Sequence, residues 1–327
     1  FAASAVKEVS FPAGLYRISD FAFSGCLSLT SVTVPETVYE IGIGAFNSCG
    51  NLENIVLPYI GGSAYTNTYL GYIFGAEEYT RSERYIPYSL KRVTLTNGAN
   101  VPDFAFYGGT GIREIKLPAK TGIIGEYAFA NCSSLTEINL DTPLQRIGAY
   151  SFYKCASLVS LTLPDCLEEV GMYAFSGCNG LTQMTVPFIG GSANENNYIS
   201  YVFDGVPASL SSVKITLAER IGESAFYGCS GLKQIILPEN LKDIGEYAFF
   251  NCGLTQITIP ATVETVKDYA FAFCRQLQQI TIPESVKYIG ERTTFAGCYT
   301  LWEIWNFCGL RVWAPNAIVY DSGDLQL

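Results

Sequence analysis

The sequence predicts a β-dominated α/β fold: a right-handed solenoid of about 12–13 repeats, with a parallel sheet on its concave face and short helical turns on its return legs. Three observations predict it. The stretch "IGEYAFANCSSLTEINL" at 124–140 returns almost unchanged as "IGEYAFFNCGLTQITIP" at 244–260. An Ala-Phe pair or its variant recurs at Phe23, Phe46, Phe74, Phe106, Phe129, Phe152, Phe175, Phe203, Phe226, Phe249, Phe271 and Phe295, with a step of 23 residues in six of the eleven intervals. A proline follows most of the short apolar runs, at Pro35, Pro58, Pro118, Pro164, Pro187, Pro238, Pro260 and Pro283.

Within the unit from Leu135 to Phe152, Leu135, Ile138 and Leu140 make a short strand whose apolar side chains face a core, while Glu137 and Asn139 alternate outward. Proline lacks the ladder donor and fixes φ, so the strand stops there. A second apolar pair, Leu144 and Ile147, precedes a glycine (Gly42, Gly125, Gly148, Gly171, Gly222, Gly245, Gly290), which is expected to supply a φ closed to other residues. In Ala-Phe-x-x-Cys, the spacing of Ala128, Phe129 and Cys132 predicts one short helical turn. Stacking such units lays each Phe on its neighbours.

The repeat L-x-x-I-x-L-P-x-x-L-x-x-I-G-x-x-A-F-x-x-C resembles the BspA-type leucine-rich repeat (LRR) of bacterial surface proteins, from about Val6 to Leu301. That resemblance implies a secreted or wall-attached protein, some relatives adhering to host matrix or other cells, and it brings no common catalytic residues. Localisation is expected to be extracellular or cell-surface, with signal and anchor outside this segment. The whole of 1–327 is expected to form a single solenoid domain.

Composition narrows the partners. A net charge of −10 with no basic stripe disfavours nucleic acid. No apolar run reaches the length of a membrane-spanning helix, so no membrane insertion is expected in this segment. The absence of histidine removes Ser-His-Asp and Cys-His nucleophile systems and the commonest metal ligand. Adjacent acids, Glu77 with Glu78 and Glu168 with Glu169, read as solvated surface. No catalytic residue, metal or cofactor is expected. Nine of the 11 cysteines (Cys26, Cys49, Cys132, Cys155, Cys178, Cys229, Cys252, Cys274, Cys298) share one repeat phase, which reads as a row of buried thiols. Cys166 and Cys308 fall off that phase.

Two repeats break the period: "PYIGGSAYTNTYLGYIFG" and "PFIGGSANENNYISYVFDG" open insertion-bearing units at 58–89 and 187–209, cognate copies within a duplicated block. Their candidate ligand-binding residues are Tyr65, Asn67, Tyr69, Tyr72, Asn196, Asn197, Tyr198 and Tyr201. These side chains either pack the longer loops and hold their turns or present aromatic and amide groups to a sugar. Outward strand positions carry Thr33, Thr94, Thr162, Thr185, Thr258 and Thr281 beside Gln183, Gln234, Gln256 and Gln279, a polar face that is either simple β-propensity or a docking surface. Residues 301–327 hold Trp302, Trp305 and Trp313 and read as a degenerate repeat or cap that closes the core, with an exposed aromatic docking site as the rival. The leading function is a non-catalytic surface or secreted binding protein whose partner is a protein or glycan on host or neighbouring cells. A carbohydrate-binding module or spacer arm of a larger extracellular protein is the alternative, and the oligomeric state stays open.

Overall fold

A computed structural model of the chain describes residues 1–321. They form two compact units, 1–159 with 169–180, and 160–168 with 181–321. Each is a β-dominated parallel-sheet solenoid with little helix, and the two together contain about 13 turns.

In the first unit the main strands are Ser31–Thr33, Asn54–Leu57, Arg92–Leu95, Glu114–Lys116 and Glu137–Ile138, all parallel and hydrogen-bonded in chain order. The second unit repeats the device with Ser160–Thr162, Gln183–Val186, Ser212–Ile215 and Gln234–Ile236, then Ile257–Thr258, Gln279–Ile282, Glu303–Asn306 and Ile318–Asp321. Alternation is the cause: Val93, Ile115, Val213 and Ile280 are buried while their neighbours on the strand face solvent.

A second row of parallel two-residue strands lies beyond the corner in most repeats, and this row was not visible in the sequence. It comprises Arg17–Ile18 with Glu40–Ile41, and Asn100–Val101, Ile123–Ile124, Arg146–Ile147 and Glu169–Val170 in the first unit. In the second unit it comprises Arg220–Ile221, Asp243–Ile244, Thr265–Val266 and Tyr288–Ile289. The "I-G" of the repeat is therefore a strand end, and its isoleucine is the core contact.

Two expectations about the return leg need correction. It is not a helical turn: Ala-Phe-x-x-Cys is a run of tight turns, with Cys132 N–H donating to Phe129 O at 3.1 Å, whose amides also reach the next repeat, Phe129 N–H to Ser151 O at 2.7 Å. Among the described residues helix occurs only in the insertion-bearing segments, at Leu70–Phe74, Tyr79–Arg81, Ser82–Tyr85 and Ile199–Phe203. Nor does the "I-G" glycine supply a positive φ. Its hydrogen is needed because successive repeats nearly touch: a Cβ on Gly125 would sit 2.5 Å from the Asp103 amide nitrogen, and one on Gly171 would sit 2.3 Å from that of Ala149. The positive φ falls instead on the residue before Ala, including Tyr127 (52°), Tyr150 (54°) and Tyr247 (55°). Such a conformation costs a bulky residue roughly 1–3 kcal/mol. Stacking of the side chains it projects offsets that cost, with Tyr127 and Tyr150 at 4.8 Å and Tyr247 and Tyr269 at 5.0 Å.

The core of each unit is a row of phenylalanines. Phe106, Phe129, Phe152 and Phe175 stack at 5.2, 5.0 and 5.5 Å in the first unit. In the second, Phe226, Phe249, Phe271 and Phe295 stack at 5.3, 5.2 and 5.8 Å. Beside them runs the thiol row. All nine in-phase cysteines are buried and none is in a disulfide. Thiols of this row cap carbonyls one repeat back: Cys49 S–H donates to Phe23 O at 3.1 Å, Cys155 to Phe129 O at 3.2 Å, Cys274 to Phe249 O at 3.1 Å. Burial pushes up the thiols of Cys49, Cys132, Cys155, Cys178, Cys252, Cys274 and Cys298, Cys132 and Cys178 to about 12.

The segment 301–321 carries the parallel ladder on, with its tryptophans outside the core. Leu301, Ile304 and Ala314 are buried there, whereas Trp302 is 51 % and Trp313 49 % exposed, and Trp305 stacks on Tyr320 at 4.7 Å on the outward rows of neighbouring strands. A parallel ladder continued to the last described strand leaves those positions facing out. The remainder of the expected cap, 322–327, lies outside the described residues.

Candidate functional site

The two insertions are built alike from the backbone upward. In the first, Gly61 has φ 79° and the Gly62 amide donates to Asn67 O at 2.9 Å; in the second, Gly190 has φ 87° and the Gly191 amide donates to Asn196 O at 2.9 Å. Only glycine fits at Gly61 and Gly190, where a Cβ would fall 1.9 Å and 2.0 Å from those carbonyl oxygens. Ser63 and Ser192 hold the tips, each hydroxyl accepting from the amide three residues on at 2.9 Å.

This geometry assigns a place to each expected site residue. Asn67 (φ 53°) and Asn196 (φ 52°) occupy the left-handed turn position and serve the loop through their carbonyls. Tyr72 lies against Gly62 and Tyr201 against Gly191, each edge-on to its partner, Tyr69 or Tyr198, at 6.0 Å. Tyr69 O–H donates to Ala76 O at 3.1 Å, a loop-closing bond; burial, with Tyr72, Glu78 and Glu77 nearby, raises its pKa. Tyr65 stands at the first tip, 93 % exposed. Asn197, one of the eight, lines a cavity.

That cavity is a groove of about 580 Å³ in the second unit. Pro187, Phe188 and Leu217 supply its apolar surface, and Asn194 and Asn197 overhang it from the insertion. Charged walls come from the corners and second-row strands of successive repeats: Asp165, Glu219, Arg220, Lys242 and Asp243. Arg220 Nε and Nη2 both donate to Asp243 Oδ2 at 3.3 Å, Lys242 Nζ lies 4.0 Å from Glu219, and Thr216 O–H donates to Asp165 Oδ1 at 2.5 Å. An adjoining depression of about 440 Å³ shares Asn197, Arg220 and Asp243 and continues past Glu246 and Thr265. Asn197 fits because Gly222 lacks a side chain: a Cβ there would sit 2.2 Å from Asn197 Oδ1.

Sequence reasoning found Asn197 but missed the charged walls. Their signal was present: the residue before the isoleucine of "I-G" always faces out, so Arg220 and Asp243 are one repeat apart in a single exposed row. No group of three or more His, Cys, Asp or Glu positioned for a metal ion occurs among the described residues. None of their helices is long and apolar enough to cross a membrane.

The stacked parallel strands, turn-built return legs and buried Phe and Cys rows define a leucine-rich-repeat protein. The chain belongs to the BspA type leucine rich repeat region family, whose model matches residues 1–98, 99–217 and 196–311 in 6 copies. No curated protein matches it. Among solved structures it is similar to a leucine-rich repeat protein from Bacteroides ovatus, with 26 % identity over 89 % of this chain and 82 % of that one and a TM-score of 0.49. A leucine rich cell surface protein from Faecalibacterium prausnitzii is 21 % identical over 97 % of this chain and 86 % of that one, with a TM-score of 0.34. The pneumococcal vaccine antigen PcpA is 19 % identical over 85 % and 68 %, with a TM-score of 0.31. Repeat proteins of this family are interaction scaffolds.

Proposed function

We propose that the chain is a non-catalytic binding protein displayed on or secreted from a bacterial cell, which presents its main-strand face to a protein on host or neighbouring cells. The observation that carries this reading is the outward row of the second unit, where Ser160, Gln183, Ser212 and Gln234 stand in register beside Thr162, Thr185 and Lys214. The serines and threonines of this rigid parallel ladder order few rotamers on binding, so little conformational entropy opposes association at their positions. Farther along this unit the exposed edge of the Trp305–Tyr320 pair adds the aromatic area that interface centres favour. Family membership supports the scaffold role, and the acidic balance with few charged side chains supports a protein rather than a nucleic-acid partner.

The test is capture of the purified chain on immobilised matrix and cell-surface proteins, compared with a Thr162→Arg/Thr185→Arg variant. Saturable binding lost in that variant supports the reading. Binding to none of the surfaces, or binding indifferent to both substitutions, rejects it.

A further inference from the structure

We propose that the groove beneath the second insertion is a separate binding site for a neutral oligosaccharide. It goes beyond the protein-binding reading and depends on none of the same residues.

The wall chemistry selects the ligand class. Arg220 and Lys242 face Asp243 and Glu219 at 3.3 and 4.0 Å, so the groove offers donors and acceptors in near-equal number. Both pairs are largely solvent-exposed, but with Asp165, Glu219 and Asp243 set against Arg220 and Lys242 the walls hold no cationic surplus for an anionic ligand, and each carboxylate of the two pairs already has its cation. A sugar hydroxyl both donates and accepts, so it can bridge such pairs without separating them. The Asn194 and Asn197 amides add two donors and one acceptor each. Leu217, 48 % exposed, provides an apolar patch for the C–H face of a ring.

The dimensions select length. Two adjoining depressions, about 580 and 440 Å³, share Asn197, Arg220 and Asp243 as a common wall. Each falls in the range of small-molecule sites. A chain of several rings fills both and places a glycosidic linkage against Asn197.

The site is also specific to this insertion. In the aligned first copy, Thr68 stands for Asn197, Tyr65 for Asn194, Pro102 for Gly222, Ala99 for Glu219, Asn100 for Arg220, Gly122 for Lys242 and Ile123 for Asp243. Proline at the position of Gly222 would fill the space that the Asn197 amide occupies. The backbone was kept and the groove chemistry was not.

The experiment is calorimetric titration of the full chain with the neutral probes cellotetraose, maltotetraose and lacto-N-tetraose, and with sialyllactose and a sulfated disaccharide as anionic probes. The expected result is saturable binding of at least one neutral probe in preference to both anionic ones. Asn197→Ala and Leu217→Asn should each weaken it by about tenfold, with thermal midpoints close to that of the parent chain. Binding of the protein partner should survive both substitutions. Absence of neutral-probe binding, preference for an anionic probe, or affinity unchanged in both Asn197→Ala and Leu217→Asn would each overturn the proposal, leaving the strand-face reading to its own test.

Discussion

The turns that open the two insertions, 58–74 and 187–203, differ by almost nothing in backbone and by almost everything in what surrounds them. Both close with the same glycine, serine and asparagine turns and the same edge-on tyrosine pair, at 81° in one and 82° in the other. Both are tied to the following repeat by one amide, Leu70 to Ala105 O at 2.7 Å and Ile199 to Ala225 O at 2.8 Å. The first then runs into the extra helical turns of 79–85, where Tyr79 stacks on Phe104 at 3.8 Å. The second lacks that segment and is walled by charged pairs. A duplicated scaffold thus keeps the residues that hold the turn, while side chains free of that task change. Loop residues that look functional because they are aromatic or amidic can be the conserved mechanics of the copy; the variable corner residues carry the chemistry.

The largest effect that would test the equivalence of the two settings comes from alkali. Burial raises Cys49 to about 11 and Cys132 and Cys178 to about 12 in the first unit, and Cys298 to about 12 in the second. These thiols stay neutral when folded and ionise when unfolded, so their contribution is complete below the ordinary thiol value of 9.0 and is lost as pH rises toward 12. At about 1.4 kcal/mol per unit per thiol, several kcal/mol should vanish. Urea midpoints should hold up to about pH 9 and fall from there to pH 11; a flat profile would mean that the thiols are not buried.

Next come the core rings. Phe106→Ala and Phe226→Ala, each removing a fully buried ring one repeat past an insertion, should each cost roughly 3–5 kcal/mol in urea denaturation. A markedly smaller loss in one would show that its insertion is the more adaptable. Gly61→Ala and Gly190→Ala should cost about 3 kcal/mol and match each other within about 0.5 kcal/mol. Unequal losses would break the claim that the two turns are mechanically the same.

The smallest effect distinguishes the copies. Tyr59 in the first insertion occupies the place of Phe188 in the second, and its hydroxyl is buried with no hydrogen-bond partner among the described protein atoms. Burial, with Glu40 nearby, pushes its pKa up. Tyr59→Phe should be neutral or stabilising by up to about 1 kcal/mol; a loss larger than that in thermal melts would reveal a polar contact that the second copy lacks.

Much of this was legible in the chain itself. Period, proline corners, the Phe row and the in-phase cysteines follow from residue type and spacing, because a repeating unit must present the same side chain to the same layer each time. The glycine of "I-G" was visible, but its reason was not: sequence suggests a free φ, and only the approach of Gly125 to Asp103 shows that the issue is contact between repeats. Trp302 and Trp313 likewise look like core by composition, and only the structure shows that both fall outside the strands and stand about half exposed.

By itself the sequence determined the solenoid, its family and its buried rows, since local pattern and nearest-neighbour stacking are enough to specify a repeat architecture. Only the tertiary structure decided the groove. Asp165, Asn197, Arg220 and Lys242 are separated by 22 to 32 residues along the chain, and their meeting depends on how corners of successive turns align and on the missing Cβ of Gly222.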